Sequence, residues 1–402
     1  MLLRKSIAIA SIIALTSTAY ASDVKVKLAG KLDVQAGFSK HSDKGAANTS
    51  ILSKNSALST TANIVADASN TLDSGLVYGA KINLHTSTRN NRSASSHLYI
   101  TSAAGKFEFG SDKSVYNKMR ITSFSNAAAT GGGADAWLKN NADIGYSAAW
   151  SNYLDGKIRP AGNLNNAEFA RKITYYTPTF YNFQFGISYI PDTQNRGFRT
   201  FNAPATKHTG IAHIQFKNAV ATGVTYNYKF NDDLTAKAAV VYEKGKTVPL
   251  ADILKSNGDV LYSDNGAKRS NLKTYTIGTE IAYKDFSIAA AFSDYMKSAT
   301  LADEPYRNTR TYGVTGRYNH PSKISTSLGY YTSTAQGNKY SSVTLATEYK
   351  IMPGLMPYAE VTFYKTKGKY NSTVGKKDYG TLTKSTDKHK GSLALIGARL
   401  EF

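Results

Sequence analysis

From Val24 to Phe38 the chain reads VKVKLAGKLDVQAGF. The even positions are Val24, Val26, Leu28, Gly30, Leu32, Val34, Ala36 and Phe38, while the odd ones include Lys25, Lys27, Lys31, Asp33 and Gln35. Alternating apolar and polar residues have the period of a β-strand with one face in an apolar medium. The alternation holds over 15 residues, whereas a soluble strand averages about 5 to 6 and a tilted membrane strand takes about 9 to 11. Length therefore favours a strand that crosses a bilayer.

The same period returns along the whole chain. Leu76, Tyr78, Ala80, Ile82 and Leu84 alternate with Val77, Gly79, Lys81, Asn83 and His85, and later runs include Phe183 to Tyr189, Leu234 to Tyr242, Tyr275 to Tyr283 and Tyr312 to Tyr318. Such segments predict sixteen strands, near 24–39, 56–68, 75–88, 95–103, 106–112, 171–178, 181–190, 219–229, 234–243, 271–283, 286–295, 309–319, 323–333, 339–350, 355–365 and 390–402. Alternation is weakest in the second strand and over 209–218, which leaves 14 or 18 strands open. Connections fall into a tight set (69–74, 104–105, 230–233, 284–285, 351–354) and a long set (40–55, 113–170, 191–218, 244–270, 366–389). A soluble sandwich would also alternate, but it has no reason to sort its loops. Short periplasmic turns against longer outer loops are how outer-membrane barrels are built. The fold class expected is all-β: a transmembrane antiparallel β-barrel of about 16 strands.

The chain begins with Arg4 and Lys5, an apolar run from Ile7 to Leu15, and the small-x-small triplet Ala19, Tyr20, Ala21. That pattern predicts a secretory signal peptide, residues 1–21, cleaved before Ser22. The run is too short for a helical anchor, which needs about 20 apolar residues. The remaining 381 of 402 residues carry no linker and no shift of composition, so 22–402 reads as one barrel domain. With no cysteine there is no thiol catalysis, thiolate metal site or disulfide, and 28 Tyr with 16 Phe suit pleated strands. Losing Arg4 and Lys5 takes the formal charge from +21 to +19. The bases are scattered singly, so anionic solutes or lipid head groups are better partners for a secreted chain than nucleic acid.

Three stretches resemble the Gram-negative general (diffusion) porins. The end of the chain, with Ile396, Ala398, Leu400 and a terminal Phe402 on one face, looks like the signal read by the barrel assembly machinery. His97 to Asp112, HLYITSAAGKFEFGSD, resembles the family's strand-turn-strand with its Phe-x-Phe-Gly, and Ile173 to Tyr189, ITYYTPTFYNFQFGISY, resembles its I-x-Y-x-S-P, with Thr177 in place of Ser. The resemblance implies a bacterial outer-membrane, multi-pass barrel, commonly a homotrimer, embedded in outer-membrane lipid and lipopolysaccharide. It implies a water-filled channel for passive diffusion of small hydrophilic solutes and ions. It also implies a third outer loop folded into the lumen as a constriction, here 113–170.

With apolar faces toward lipid, the opposite parity lines the pore: Lys25, Lys27, Lys31, Lys81, Lys106, Lys172, Lys229, Lys237, Arg317 and Arg399 against Asp33, Glu108, Glu243, Glu280, Glu348, Glu360 and Glu401. Rings of fixed charge bias ion entry, so the basic excess sets an expectation of weak anion preference. Family pores set a basic wall against acids on the inward loop. That resemblance nominates Lys31 on the wall, with Lys81, Lys106 or Lys172 to stand in for the family's Arg, and Asp135, Asp143, Asp155 and Glu168 on the loop; parity adds Glu108 to the pore-lining set. Ser111 departs from the family, which has Arg after that Gly, and the loop also holds Lys113, Lys118, Arg120, Lys139, Lys157 and Arg159.

No enzyme is expected: the seven histidines (His41, His85, His97, His208, His213, His320, His389) are dispersed and form no His-x-x-x-His pair. His85 and His97 read as wall or rim residues rather than metal ligands. No phosphate-cradling loop, metal site or cofactor is expected. A substrate-specific channel and an adhesin or structural barrel are the alternatives; the first would need a continuous aromatic track, to which Tyr331, Tyr358 and Tyr364 are candidates.

Overall fold

The computed structural model describes residues 24–41, 56–87, 93–130, 170–193, 215–248, 253–254, 260–262, 270–298, 308–335, 338–367, 370–372, 382–384 and 388–402. Sixteen antiparallel strands close into one barrel. They are β1 (Lys25–His41), β2 (Ser56–Thr71), β3 (Val77–Ser87), β4 (Ser93–Ser102), β5 (Gly105–Ser111), β6 (Arg171–Tyr176), β7 (Phe183–Asp192) and β8 (Gln215–Lys229), followed by β9 (Leu234–Val248), β10 (Leu272–Tyr283), β11 (Phe286–Asp294), β12 (Arg310–Asn319), β13 (Ile324–Ala335), β14 (Asn338–Tyr349), β15 (Leu355–Lys367) and β16 (Lys388–Glu401). Each strand pairs with its sequence neighbours, and β1 pairs with β16 from Lys31 opposite Glu401 to His41 opposite Gly391. Closure leaves no free strand edge, which is what a sheet in lipid requires. Two small hairpins, Ile253–Leu254 with Val260–Tyr262 and Tyr370–Ser372 with Leu382–Lys384, lie within long connections.

All sixteen predicted strands are present. The weak second strand is among the longest, Ser56–Thr71. At the other doubtful span β8 begins at Gln215 and is bulged between Lys217 and Val220, with Asn218 at φ 50°. A bulge adds one residue to one strand and flips the parity beyond it. That flip is why the alternation fades there.

The start of β1, the terminal Phe402 and the tight turns share one end of the barrel, where the Gly30 and Phe402 backbones exchange hydrogen bonds of 2.8 and 3.0 Å. The opposite end carries the long connections, together with two short ones, 88–92 and 336–337.

The two faces of the wall differ in chemistry. The parity that includes Leu28, Val34, Leu98, Phe185, Val240, Ile288, Leu345 and Ile396 is exposed. The other parity carries short hydroxyls, including Thr174, Ser188, Thr276, Thr315, Ser327 and Thr362, together with Asp33, Glu108, Lys172 and Glu360, all buried. This inversion of the soluble pattern is that of a barrel whose outside is apolar and whose inside is polar.

Candidate functional site

The polar face is buried in part because the first stretch of the β5–β6 connection packs on it. After Asp112, Ser114 begins a single helical turn, α1 (Val115–Lys118), and the chain then crosses strand after strand to Thr130. The Val115 amide donates to Ser188 Oγ of β7 at 2.9 Å. The Tyr116 hydroxyl lies 3.0 and 2.9 Å from Thr274 and Thr276 of β10. Val115, Tyr116 and Met119 form an apolar cluster with Tyr176, Ala221 and Val241. Gly186 of β7 and Gly278 of β10 leave the room for this approach: a Cβ at the first would meet Met119 and Val115, and at the second the Ile121 carbonyl. Farther on, Phe124 packs on Tyr331 of β13, and the Asn126 amide donates to Ser287 Oγ of β11 and the Thr315 carbonyl of β12.

At its root this strap, 113–130, is held by charge. Lys118 Nζ lies 2.6 Å from Glu108 Oε2 and 2.9 Å from Asp112 Oδ2, and Lys106 Nζ lies 2.9 Å from Glu108 Oε1. His97 stands behind them, 3.9 Å from Glu108 and 3.4 Å from Asp112, and Lys172 donates to the Asp112 and Ala170 carbonyls. Lys106 also stands over the Tyr99 ring at 4.9 Å, Tyr99 donates to Asp67 at 2.8 Å, and Lys81 lies 3.9 Å from Asp67. Burial by itself pushes the Asp112 carboxyl up, but the hydrogen bond and charge of Lys118, aided by the Lys113 amide and His97, outweigh it, and it sits below the ordinary value. His97, Glu108 and Asp112 offer ligand atoms within 4.8 Å of one another. The Lys118 ammonium between the two carboxylates already supplies the positive charge a metal would bring.

At its tip the strap is held through its backbone. Ala128 N donates to Ser327 Oγ at 2.9 Å, Ala129 N to Glu348 Oε2 at 2.8 Å, and Thr130 to Glu360 Oε2 from both its amide (3.2 Å) and hydroxyl (2.7 Å). Two arginines bind the carbonyls: Arg317 donates to Ala127 at 3.3 Å and Arg399 to Ala129 at 2.5 Å. Arg317 also pairs with Glu348 at 2.9 Å, and Asp33 receives Tyr358 at 2.5 Å and Arg399 at 3.4 Å.

The sequence family of Gram-negative porins matches residues 8–369. The chain belongs to that family. An uncharacterized protein of Rickettsia bellii is 32% identical to this porin over 447 residues, spanning 99% of this chain and 100% of the other, and one of Rickettsia conorii is 31% identical over 454 residues, spanning 100% of both. Among solved structures, the anion-selective porin from Comamonas acidovorans superposes with a TM-score of 0.59 at 16% identity, covering 94% of this chain and 100% of that one. The loop L8 deletion mutant of OmpT, an outer-membrane protein of Vibrio cholerae, gives 0.58 at 14%, covering 95% and 100%. At these identities the likeness is one of fold.

Of the nominated wall residues, Lys81, Lys106, Glu108 and Lys172 come together across β3, β5 and β6. Lys31 stands apart, near the terminal end of the barrel, 3.8 Å from Glu401. Asp135, Asp143, Asp155 and Glu168 lie outside the described residues, as does residues 1–21. Sequence reading did not pick out Asp112, Lys118 and Tyr116 as anchors of the strap, because their partners lie 6 to 160 residues away and no periodicity links them. It placed Glu348, Glu360, Arg317 and Arg399 on the inner face by parity but could not see that they grip a backbone.

Proposed function

We propose that this porin forms a water-filled outer-membrane channel for passive diffusion of small hydrophilic solutes and ions. The observation that carries the reading is the closed sixteen-strand wall, apolar outside and polar inside, with a strap on its inner face. In this reading 113–130 is the first leg of a constriction loop over 113–170, with Asp135, Asp143, Asp155 and Glu168 in its later part. Residues 1–21 are a cleaved signal peptide, and the mature barrel assembles through the barrel assembly machinery as a homotrimer. One OmpT structure of Vibrio cholerae, with a TM-score of 0.55, is described as a trimer form, which supports that assembly by analogy of fold. Membership of the porins speaks for a channel rather than an enzyme.

Weak anion preference follows from an inner-face excess of bases: ten bases stand against the seven acids read from parity and Asp67 of β2, which lies beside Lys81. Charges near a mouth are screened within about 8 Å at physiological salt, so the bases beside the strap dominate. Among the described residues these include Lys81, Lys106 and Lys172.

The test is single-channel recording in a planar bilayer with reversal potential across a salt gradient. Large ohmic steps, in groups of three, with a reversal on the anion side that shrinks in Lys81→Glu, are the expected result. Folded protein that does not conduct would reject the channel; cation preference would keep the channel and reject the charge argument.

A further inference from the structure

The root of the strap holds side chains arranged for more than one kind of cation. On β5 the inner parity reads Lys106, Glu108 and Gly110, and Asp112 is the next inner position. His97 of β4 stands directly opposite Gly110. Gly110 lies at φ 139°, and a Cβ there would come within 2.8 Å of the His97 Cα and 3.1 Å of its Cβ. The glycine thus leaves a gap between two carboxylates on one face of the strand, and the imidazole fills it. His97, Glu108 and Asp112 offer ligand atoms within 4.8 Å of one another.

Both carboxylates are fixed through the oxygen that faces away from this gap. Glu108 Oε1 receives Lys106 at 2.9 Å, and Asp112 Oδ1 receives the Lys113 amide at 2.7 Å. Partners of this kind orient ligands in metal sites. That leaves Glu108 Oε2 and Asp112 Oδ2, which face Lys118 Nζ at 2.6 and 2.9 Å. The His97 side chain is 4% exposed, and its Nδ1, 3.4 Å from Asp112 Oδ2, is buried without a hydrogen-bond partner among the described residues. Such a group is rare in a folded protein and calls for a ligand. Lys118 satisfies the two oxygens and leaves the nitrogen unserved.

We propose that His97 Nδ1, Glu108 Oε2 and Asp112 Oδ2 form a binding site for a divalent transition-metal ion of the zinc type, which takes the place of the Lys118 ammonium. The donor set decides the class of ion. One imidazole nitrogen with two carboxylate oxygens suits zinc, whereas calcium takes about six to eight oxygens and magnesium keeps several of its waters. Zinc–oxygen bonds of about 2.0–2.2 Å are shorter than the two Lys118 contacts by roughly 0.4–0.9 Å, so the ion draws the same oxygens slightly inward. Charge balances in the exchange: the ion's two charges meet two carboxylates, His97 binds as the neutral ring with its proton on Nε2, and Lys118 leaves still protonated. Lys118 and Asp112 are partly exposed, so the ion reaches the site without opening the wall. The ligands belong to β4, β5 and the residue just after β5, while Lys118 belongs to the strap. An ion seated there therefore unfastens the strap at its root. Binding does not depend on the channel reading; its effect on permeation does.

The test titrates zinc chloride into the mature protein folded in detergent, in buffer free of chelators, and follows heat and tryptic cleavage after Lys118. Wild type is expected to bind one ion per chain, to ignore magnesium, and to be cut there roughly tenfold faster with saturating zinc than without. His97→Gln should lose the zinc effect on cleavage and at least the roughly 10–100-fold in affinity that loss of a ligand-orienting partner alone costs a metal site. His85→Gln and His320→Gln should change neither readout. Lys118→Met decides the exchange: with the competing ammonium gone, zinc should bind about 10- to 100-fold more tightly, the equivalent of one hydrogen bond between charged groups. Lys237→Met, the same loss of charge elsewhere on the inner face, should leave the affinity unchanged. If His97→Gln does not fold, the two lysine variants carry the test. No saturable binding by wild type, undiminished binding in folded His97→Gln, or weaker binding in Lys118→Met overturns the site. Conductance of the same preparation reports the porin reading separately: a zinc site in a barrel that does not conduct sinks the channel and keeps the site, and a conducting barrel without one does the reverse.

Discussion

The root and the tip of the strap are fastened by opposite means. At the root, side chain meets side chain: Lys118 of the strap lies between Glu108 and Asp112. At the tip the wall's Arg317, Glu348, Glu360 and Arg399 grip carbonyls and amides of residues 127–130, where the strap itself supplies Ala127, Ala128 and Ala129. The root therefore depends on the strap's own sequence. The tip depends mostly on the sequence of the barrel: apart from the Thr130 hydroxyl on Glu360, the strap there needs only to be small enough to come close.

The largest break of that asymmetry is expected from Glu108→Ala. It removes the carboxylate that Lys106 and Lys118 both contact, leaving Lys118 only Asp112, and costs about 3 kcal/mol, that of two hydrogen bonds to a charged group. Urea unfolding of the detergent-folded barrel measures the loss, and trypsin should cut after Lys118 or Arg120 far faster than in wild type. Ala127→Ser, at a half-buried position of the tip, should leave both readouts within about 0.5 kcal/mol of wild type, as changes outside the packed interior usually do. Equal protease sensitivity of the two variants would mean that the root does not hold the strap.

Gly278→Val probes the span between the two ends, because a side chain there meets the Ile121 carbonyl, which has no rotamer to retreat into. Overpacking of this kind costs about 1–3 kcal/mol. The strap should shift off β10, and the single-channel conductance should change while the apolar outer wall, and hence membrane insertion, does not. An unchanged conductance at lowered stability would separate the strap from the permeation path.

How much of this was legible in the sequence follows from the range of each interaction. Parity is local, so the sixteen strands, the sorting of the loops and the inward direction of Glu108, Lys172, Arg317 and Arg399 could all be read from neighbouring residues. Of the two blurred spans, 209–218 runs into the β8 bulge between Lys217 and Val220, which breaks the period there. The strap was not legible, because its partners are set by closure of the barrel: Thr130 meets Glu360, and Tyr116 meets Thr276, only once strands far apart in sequence share one inner face. Lys31 shows the converse. Its parity was right, yet height along the barrel axis decides company, and it pairs with Glu401 near the chain end rather than with the lysines of β3 to β6.

The root should also be robust to acid. The Asp112 carboxyl lies below its ordinary value in the folded chain. A group of this kind contributes its full stabilisation above the unfolded value, about 3.9, and loses it only as the pH falls through the lower folded value. Conductance and protease resistance of the strap should therefore stay constant from neutral pH down to about 4 and decline below it. A transition near pH 6 would contradict the Lys118–Asp112 pairing as the group that sets the root.

The smallest effect expected is also the one that decides whether root and tip act separately. Thr130→Val removes the 2.7 Å hydroxyl bond to Glu360 but leaves the 3.2 Å amide bond to the same oxygen, so the carboxylate keeps a partner. The cost should be about 1 kcal/mol, that of one hydrogen bond whose acceptor remains satisfied. Combined with Lys118→Met in a double-mutant cycle, the two losses should add within about 0.5 kcal/mol if the ends are fastened independently. A coupling above about 1 kcal/mol would show instead that the strap lifts as one body, because residues sharing no contact couple only through a common displacement. In that case the small residues at the tip would matter less for their close approach than for transmitting to β15 what happens at β5.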